Sequence, residues 1–139
     1  MSNLKIDQIS SAGPILAIGM SIAVLVLLFS LHILSPEFNP AWRMVSEYAN
    51  GKYAWVLSLL FFLWGAGSLA LAYTLGPHLQ TTAGKIGLFL LVLAGIGEAM
   101  AAVFDINHKL HSLSAMIGIP GLSIAAMLIS VALVRTESW

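Results

Sequence analysis

Four long apolar runs, separated by short polar segments, constrain the fold of this chain more than any other feature. They cover approximately residues 14–34, 53–75, 84–104 and 110–134. Each is long enough to cross a bilayer as a helix, which takes about 20 apolar residues. Charged residues make up 9% of the 139 residues, whereas soluble domains carry about 25%. Because only helices or closed barrels can span lipid, the sequence predicts an all-α polytopic membrane protein, a bundle of four transmembrane helices forming a single domain over residues 1–139.

An even number of crossings predicts that both termini lie on one side of the membrane and that the loops 35–52 and 105–109 lie on the other. The positive-inside rule does not orient this bundle, because three positive residues fall on each side: Lys5, Lys85 and Arg135, and Arg43, Lys52 and Lys109. The first loop is long for a helix hairpin, and such loops are often functional. We expect in it a short interfacial helix, capped by Asn39 and ended by Asn50-Gly51. An irregular loop with aromatic residues at headgroup depth is the alternative.

Small residues mark the predicted packing faces, since transmembrane helices associate by close approach. In the third run small residues recur at spacings of three and four, together with one leucine and two acids: Gly84, Gly87, Leu91, Ala94, Glu98, Ala101 and Asp105. The fourth run has a similar stripe that begins with two histidines: His108, His111, Ala115, Gly118, Leu122, Ala125 and Ile129. In the first run the small residues are Gly19, Ala23, Val26 and Ser30, and His32 lies off that line.

The few polar residues of the apolar runs and loops are expected to meet at one membrane face. Threading the runs through a bilayer brings six of them towards that face, with His32 close by: Arg43, Glu47, Glu98, Asp105, His108 and His111. Ionisable residues in membrane segments usually mark functional sites. The sequence therefore predicts a polar pocket at one end of the bundle.

Glu98 is the strongest single candidate for a functional residue in this pocket. It lies two helical turns before Asp105, so about 10 Å deeper in the membrane. A bare carboxylate at that depth is costly, and Glu98 is therefore expected to be protonated, paired or hydrogen-bonded. It is a candidate catalytic, ligand-binding or proton-carrying residue, and its alternative is a neutral hydrogen bond between helices.

Asp105, His108 and His111 are candidate ligands of a divalent metal such as zinc, which imidazole and carboxylate groups bind. The His-x-x-His spacing is a weak signal without an HExxH motif. Proton shuttling, a plain pair of interfacial histidines, and an Asp105 or Asn107 cap on the fourth helix remain open. Asp105 is also a candidate catalytic acid.

In the first loop, Arg43, Ser46, Glu47 and Tyr48 are candidate ligand-binding residues, together with Glu98 and His111. The planar guanidinium of Arg43 suits a phosphate or carboxylate, although a local ion pair with Glu47 at i,i+4 or snorkelling to headgroups explains it equally well. Ser46 has no evident base beside it, which argues against a serine nucleophile.

Composition excludes several classes of function. The chain has no cysteine, so disulfides and thiolate chemistry are absent, and its formal net charge of zero gives no reason to expect a nucleic-acid partner. No glycine-rich phosphate loop or dinucleotide fingerprint occurs.

The loop Ser46-Glu47-Tyr48-Ala49-Asn50-Gly51, the Phe104-Asp105 turn and the helix-opening His111 together resemble an uncharacterised prokaryotic integral membrane family, catalogued as domain of unknown function 998. The resemblance covers roughly residues 14–134. It implies a multi-pass fold in a prokaryotic cell membrane and groups loop and turn into one site, but it implies no activity. The family's Phe-Pro-x-Asp turn lacks its proline here, and members tend to have more helices. A short member, a homo-oligomer or a partner that covers the exposed faces is therefore expected.

Three functions compete at this point. The first is binding of a lipid headgroup or small amphiphile at the polar pocket, with the lipid bilayer itself as the main partner. The second is a metal-dependent intramembrane hydrolase that uses Asp105, His108 and His111. The third is proton-coupled transport through Glu98. The sequence favours the first and leaves the ligand open.

Overall fold

The described part of the chain folds into four α-helices, as the sequence predicts. The computed structural model describes the backbone of residues 3–135 and the side chains of residues 12–134. The helices are α1 (Asn3–Leu34), α2 (Ala54–Leu75), α3 (Thr82–Val103) and α4 (Lys109–Arg135). Each contains a segment long and apolar enough to cross a membrane: Ala12–Leu34, Ala54–His78, Thr82–Val103 and Lys109–Val134. The described residues contain no strand, so the chain is an all-helical multi-pass membrane protein.

Each helix packs mainly against its neighbours in the chain, α1 on α2, α2 on α3 and α3 on α4. The stripe predicted for the central helix, α3, is confirmed from Gly84 to Glu98, because the buried residues of α3 are Gly84, Gly87, Leu91, Ala94, Gly95, Gly97 and Glu98. Its last two members differ, since Ala101 is half-buried and Asp105 is exposed. In the predicted stripe of α4, four members are buried, His111, Gly118, Ala125 and Ile129, while Ala115 and Leu122 are half-buried and His108 is exposed. Residues with little side-chain volume therefore line the contacts on both sides of α3.

Two glycines set how closely α3 approaches each of the two helices beside it, α2 and α4. A Cβ atom on Gly65 of α2 would lie 2.7 Å from the Gly95 carbonyl oxygen of α3, and one on Gly97 would lie 2.8 Å from the Ser114 carbonyl oxygen of α4. These are backbone atoms that cannot swing aside. The helices can approach this closely only because no side chain intervenes.

The predicted packing face of α1 is partly wrong. Gly19 and Val26 are exposed, and a Cβ atom on Gly19 would meet nothing within 4 Å. Instead, Ala17 and Leu31 are buried, and Met20 lies against Gly67 of α2. Because α1 is apolar on every side, small side chains alone did not identify the side that faces α2.

Two apolar cores lie at opposite ends of the bundle. The inner core joins α2, α3 and α4 around the second linker and consists of Ala72, Leu79, Leu91, Ala125, Ile129 and Ala132. The outer core joins α1, α2 and the first linker and consists of Leu31, Tyr48, Val56, Leu57 and Leu60. The first linker is thus packed into the bundle by one of its own aromatic side chains.

The first linker contains a shorter helix than predicted. Asn39 caps a turn rather than a helix: its Oδ1 accepts from the Ala41 amide at 2.9 Å, and its carbonyl accepts from the Arg43 amide. A six-residue 3₁₀ helix, Val45–Asn50, follows and stops at Gly51, as predicted. Its position relative to the membrane surface and the common side of the termini stay predictions.

The glycine contacts generate a stability prediction. Gly65→Ala and Gly97→Ala should each destabilise the protein by about 1–3 kcal/mol, the usual cost of overpacking a close contact, whereas Gly19→Ala should change stability little because it enters open space. Thermal unfolding in detergent or nanodiscs measures the difference. Equal melting temperatures for the three variants would contradict the close approach of the helices.

Candidate functional site

The first linker and the short third linker lie together at one end of the bundle, which we call the loop face. It comprises residues 35–53 and 104–108. The Asn107 side-chain amide donates to Asn50 Oδ1 at 3.3 Å across 57 residues of sequence. This hydrogen bond brings the two segments with the predicted site residues into contact.

Tyr48 anchors the first linker. Its side chain is only 1% exposed, and its hydroxyl donates to the Phe38 carbonyl oxygen at 3.0 Å. His32 Nδ1 lies 2.6 Å from the same hydroxyl oxygen. Since the hydroxyl has one hydrogen and gives it to Phe38, His32 donates from Nδ1. Burial, and then the negative charge of Glu37, raise the pKa of the Tyr48 hydroxyl, so this anchor stays uncharged.

The anchor changes the interpretation of two residues. Tyr48, a predicted ligand-binding residue, has its hydroxyl committed to Phe38 and His32. His32, which the sequence placed off the packing line and at the interface, is held by that hydroxyl and packs edge-on against Phe29. The sequence signal available for such a cluster was the run of aromatic side chains just before and inside the linker, among them Phe29, Phe38 and Tyr48.

Arg43 and Glu47 form the local ion pair that the sequence left open. Arg43 Nη1 lies 2.9 Å from Glu47 Oε2, at i,i+4 spacing, and the arginine side chain is largely exposed. The other carboxylate oxygen, Oε1, accepts from the Met44 amide at 3.1 Å. Glu47 thus holds both the start of the 3₁₀ helix and the guanidinium, while Ser46 is half-buried in the same helix.

Asp105, His108 and His111 lie close in sequence, but each makes a hydrogen bond to a different backbone group. Asp105 Oδ1 accepts from the Asn107 amide at 2.9 Å. His108 Nδ1 accepts from the Leu110 amide at 3.2 Å, and its exposed ring stacks on Phe104. Among the described side chains, no group of three or more His, Cys, Asp or Glu residues could hold a metal ion. The predicted zinc ligands are therefore not assembled into a site.

His111 has a different environment from His108. It is buried, and its Nδ1 lies 2.8 Å from the Phe104 carbonyl oxygen. Since a carbonyl only accepts, Nδ1 carries the hydrogen, and the second ring nitrogen is left as an acceptor. The Phe61 ring of α2 meets the imidazole edge-on, with the centroids 6.3 Å apart. His111 of α4 therefore lies against α2 at this level of the bundle.

Glu98 also lies between α2 and α4, further from the loop face. It is 7% exposed, and its Oε2 accepts a 2.7 Å hydrogen bond from Ser68 Oγ on α2. Its Cγ would be 3.9 Å from a Cβ atom on Gly118 of α4. The prediction that Glu98 points into the bundle is confirmed. Nothing in the sequence pairs Glu98 with Ser68.

The polar residues occupy two levels instead of one pocket mouth. Ser68 lies seven residues beyond Phe61 on α2, and Gly118 lies seven beyond His111 on α4. Two helical turns correspond to about 10 Å. Glu98 is thus roughly that distance below the His111 level, while the Arg43–Glu47 pair lies outside on the loop face.

Loss of the Tyr48 hydroxyl should loosen the loop face. Tyr48→Phe leaves the Phe38 carbonyl and His32 Nδ1 without their partner, a loss worth about 1–3 kcal/mol for buried groups. We expect a lower melting temperature and faster amide hydrogen exchange across residues 44–51. Tyr73→Phe is the matched control, because Tyr73 is 77% exposed on α2. If the two variants behave alike, the Tyr48 hydroxyl does not anchor the linker.

Comparison with known proteins adds family membership to this geometry. No curated protein and no solved structure matches the chain. One family model matches it over residues 16–139, which includes the first linker, Glu98 and His111. Because the match covers most of the sequence, the chain belongs to the family described as Protein of unknown function (DUF998).

Proposed function

We propose that this membrane protein binds a lipid headgroup, or another small amphiphile that carries a phosphate, at its loop face, with Arg43 as the phosphate ligand. The supporting observation is the segment Trp42-Arg43-Met44. The side chain of Trp42 is 86% exposed, and those of Arg43 and Met44 are exposed as well. Four residues after Met44, Tyr48 is buried in the outer core. The linker is thus fixed at one point and presents an aromatic, a cationic and a flexible apolar side chain beside it.

These three side chains suit the boundary between headgroups and acyl chains. Tryptophan is enriched at that depth, because its ring is amphipathic. Methionine adapts its shape to irregular apolar surfaces. The guanidinium between them presents five N–H donors in a planar fork, the geometry that matches phosphate oxygens. An amphiphile whose phosphate meets Arg43 can place its apolar part against Trp42 and Met44.

The Arg43–Glu47 pair prepares the guanidinium for this role. Glu47 occupies one side of the fork through Nη1 and fixes its direction, which lowers the entropy lost on binding. The loop face carries both signs of charge, with Arg43 and Lys52 against Glu37, Glu47 and Asp105, and Lys109 follows it directly. A zwitterionic headgroup fits this balance better than a strongly anionic one.

The other functions receive less support from the contacts. A metal-dependent hydrolase needs Asp105, His108 and His111 to converge, and each is engaged with backbone groups in its own neighbourhood. The proposal includes location in a prokaryotic cell membrane, as the family resemblance implies, and leaves room for a homo-oligomer or a partner against the exposed helix faces.

Lipid titration of the purified protein by native mass spectrometry tests the role of Arg43. Short-chain phosphatidylethanolamine and phosphatidylglycerol are compared with a diacylglycerol that lacks phosphate. Arg43→Ala should weaken binding of both phospholipids about tenfold, equivalent to about 1.4 kcal/mol, and leave diacylglycerol binding unchanged. Glu47→Gln should bind phospholipid as well as the wild type or better, because the amide oxygen can still accept from Met44 while the competing charge is gone.

Lys85→Ala is the control for general loss of positive charge. Lys85 is an exposed cation in the first turn of α3, at the end opposite the loop face. Its variant should bind lipid like the wild type. Arg43→Ala with unchanged phospholipid affinity, or wild-type protein that binds diacylglycerol as tightly as phospholipid, would overturn the proposal.

A further inference from the structure

Glu98 is a buried titratable group that lipid binding at the loop face does not use. We infer that Glu98 and Ser68 form a proton-binding site inside the membrane, which protons reach from the loop face along the boundary between α2 and α4. The inference does not depend on Arg43 or on the identity of any lipid. It rests on three observations: an unshared carboxyl oxygen, the absence of a nearby cation among the described residues, and the different contacts that lie on either side of Glu98 between α2 and α4.

The first observation is the uneven use of the carboxyl group. Oε2 accepts the hydrogen of Ser68. Oε1 has no hydrogen-bond partner within the described part of the chain. It is also not among the fully enclosed unpartnered side-chain atoms, of which Ser35 Oγ is the one example in the described residues. One carboxyl oxygen of Glu98 is therefore hydrogen-bonded, and the other has no partner.

The second observation concerns charge. The only ion pair among the described side chains is Arg43–Glu47 on the loop face. On the helices packed against Glu98, the titratable side chains are few: Tyr73 on α2, Lys85 on α3 itself, and Lys109 and His111 on α4. Tyr73 is exposed, the lysines lie in the end turns, and His111 is two turns away. A carboxylate without a counter-ion at this depth costs several kcal/mol, so the proton is the ligand that neutralises it, on Oε1.

The third observation concerns what lies on either side of Glu98 between α2 and α4. Away from the loop face, apolar residues from three helices, Ala72, Leu91 and Ala125, pack together in the inner core. Towards the loop face, the neighbouring contact is the one between Phe61 and the polar imidazole of His111. The loop face is therefore the side from which we expect polar access to Glu98, past one aromatic contact.

Carbodiimide labelling tests the site directly. These reagents add to a protonated carboxyl group and rearrange to a stable N-acylurea; every atom is retained and no leaving group departs. Wild-type protein in nanodiscs is treated with a water-soluble and with a lipid-soluble carbodiimide, and adducts are mapped by mass spectrometry. The water-soluble reagent should label Glu98, at a rate that falls reversibly as pH is raised, and Glu98→Gln should lose this adduct.

Three variants separate the proposed route from a general structural effect. Phe61→Ala should speed labelling of Glu98 by the water-soluble reagent several-fold, because it removes the aromatic contact with His111 that lies between Glu98 and the loop face. Phe89→Ala, a change of the same size at an exposed position on α3, should not. Ser68→Ala removes a donor that stabilises the ionised carboxylate, so labelling should persist to more alkaline pH than in the wild type.

Each other outcome counts against the inference. Absence of Glu98 labelling with either reagent would mean a sealed, purely structural carboxyl. Labelling by the lipid-soluble reagent alone would mean access from the acyl chains instead of the loop face. A labelling rate independent of pH would mean that Glu98 does not exchange its proton. Because lipid titration of Arg43→Ala is a separate measurement, either proposal can fail without the other.

Discussion

The close approach of backbones on both sides of α3 is the constraint on which the rest of the structure depends. Lipid is as apolar as the side chains that face it, so helices gain little by burying leucine against leucine. Gly65 and Gly97 supply the alternative, which is contact between main chains with optimal dispersion. Glu98 lies between these two contacts. A carboxyl group is tolerated there because the adjacent helix places a serine hydroxyl within hydrogen-bonding distance.

The order of the loop face depends on a balance between the conformational entropy of the first linker and the contacts made by Tyr48. The linker of residues 35–53 between α1 and α2 loses much conformational entropy when it is ordered, and a few exposed charges would not compensate. The buried ring of Tyr48 contributes apolar contact with the outer core, and its hydroxyl satisfies a carbonyl and an imidazole that would otherwise be unpaired. This leaves the Trp42-Arg43-Met44 segment ordered and exposed. The exposed surface of this segment is therefore held in place by an aromatic residue that is itself buried.

Sequence patterns predicted the helices, the face of α3 and the inward direction of Glu98, because each follows from hydropathy or from the helical period. The packing face of α1 was not predictable in this way, since an apolar helix has no polar side to orient it. The separate contacts of Asp105, His108 and His111 were also hidden. Their partners are backbone groups, whose positions depend on how the third linker turns, and a backbone amide carries no signature in the sequence. The bond between His32 and Tyr48 joins positions 16 residues apart and required the linker's folded path.

Packing between chain neighbours also bears on how the protein assembles. When contacts form mainly between consecutive helices, the loops closed during folding are short, and topologies dominated by local contacts fold quickly. Each newly inserted helix finds its docking surface on the one synthesised just before it, so the hairpins can form in the order in which they leave the ribosome. Docking of α4 then completes the surroundings of Glu98, which means that the carboxyl acquires its final environment only after the helix that follows its own has entered the membrane.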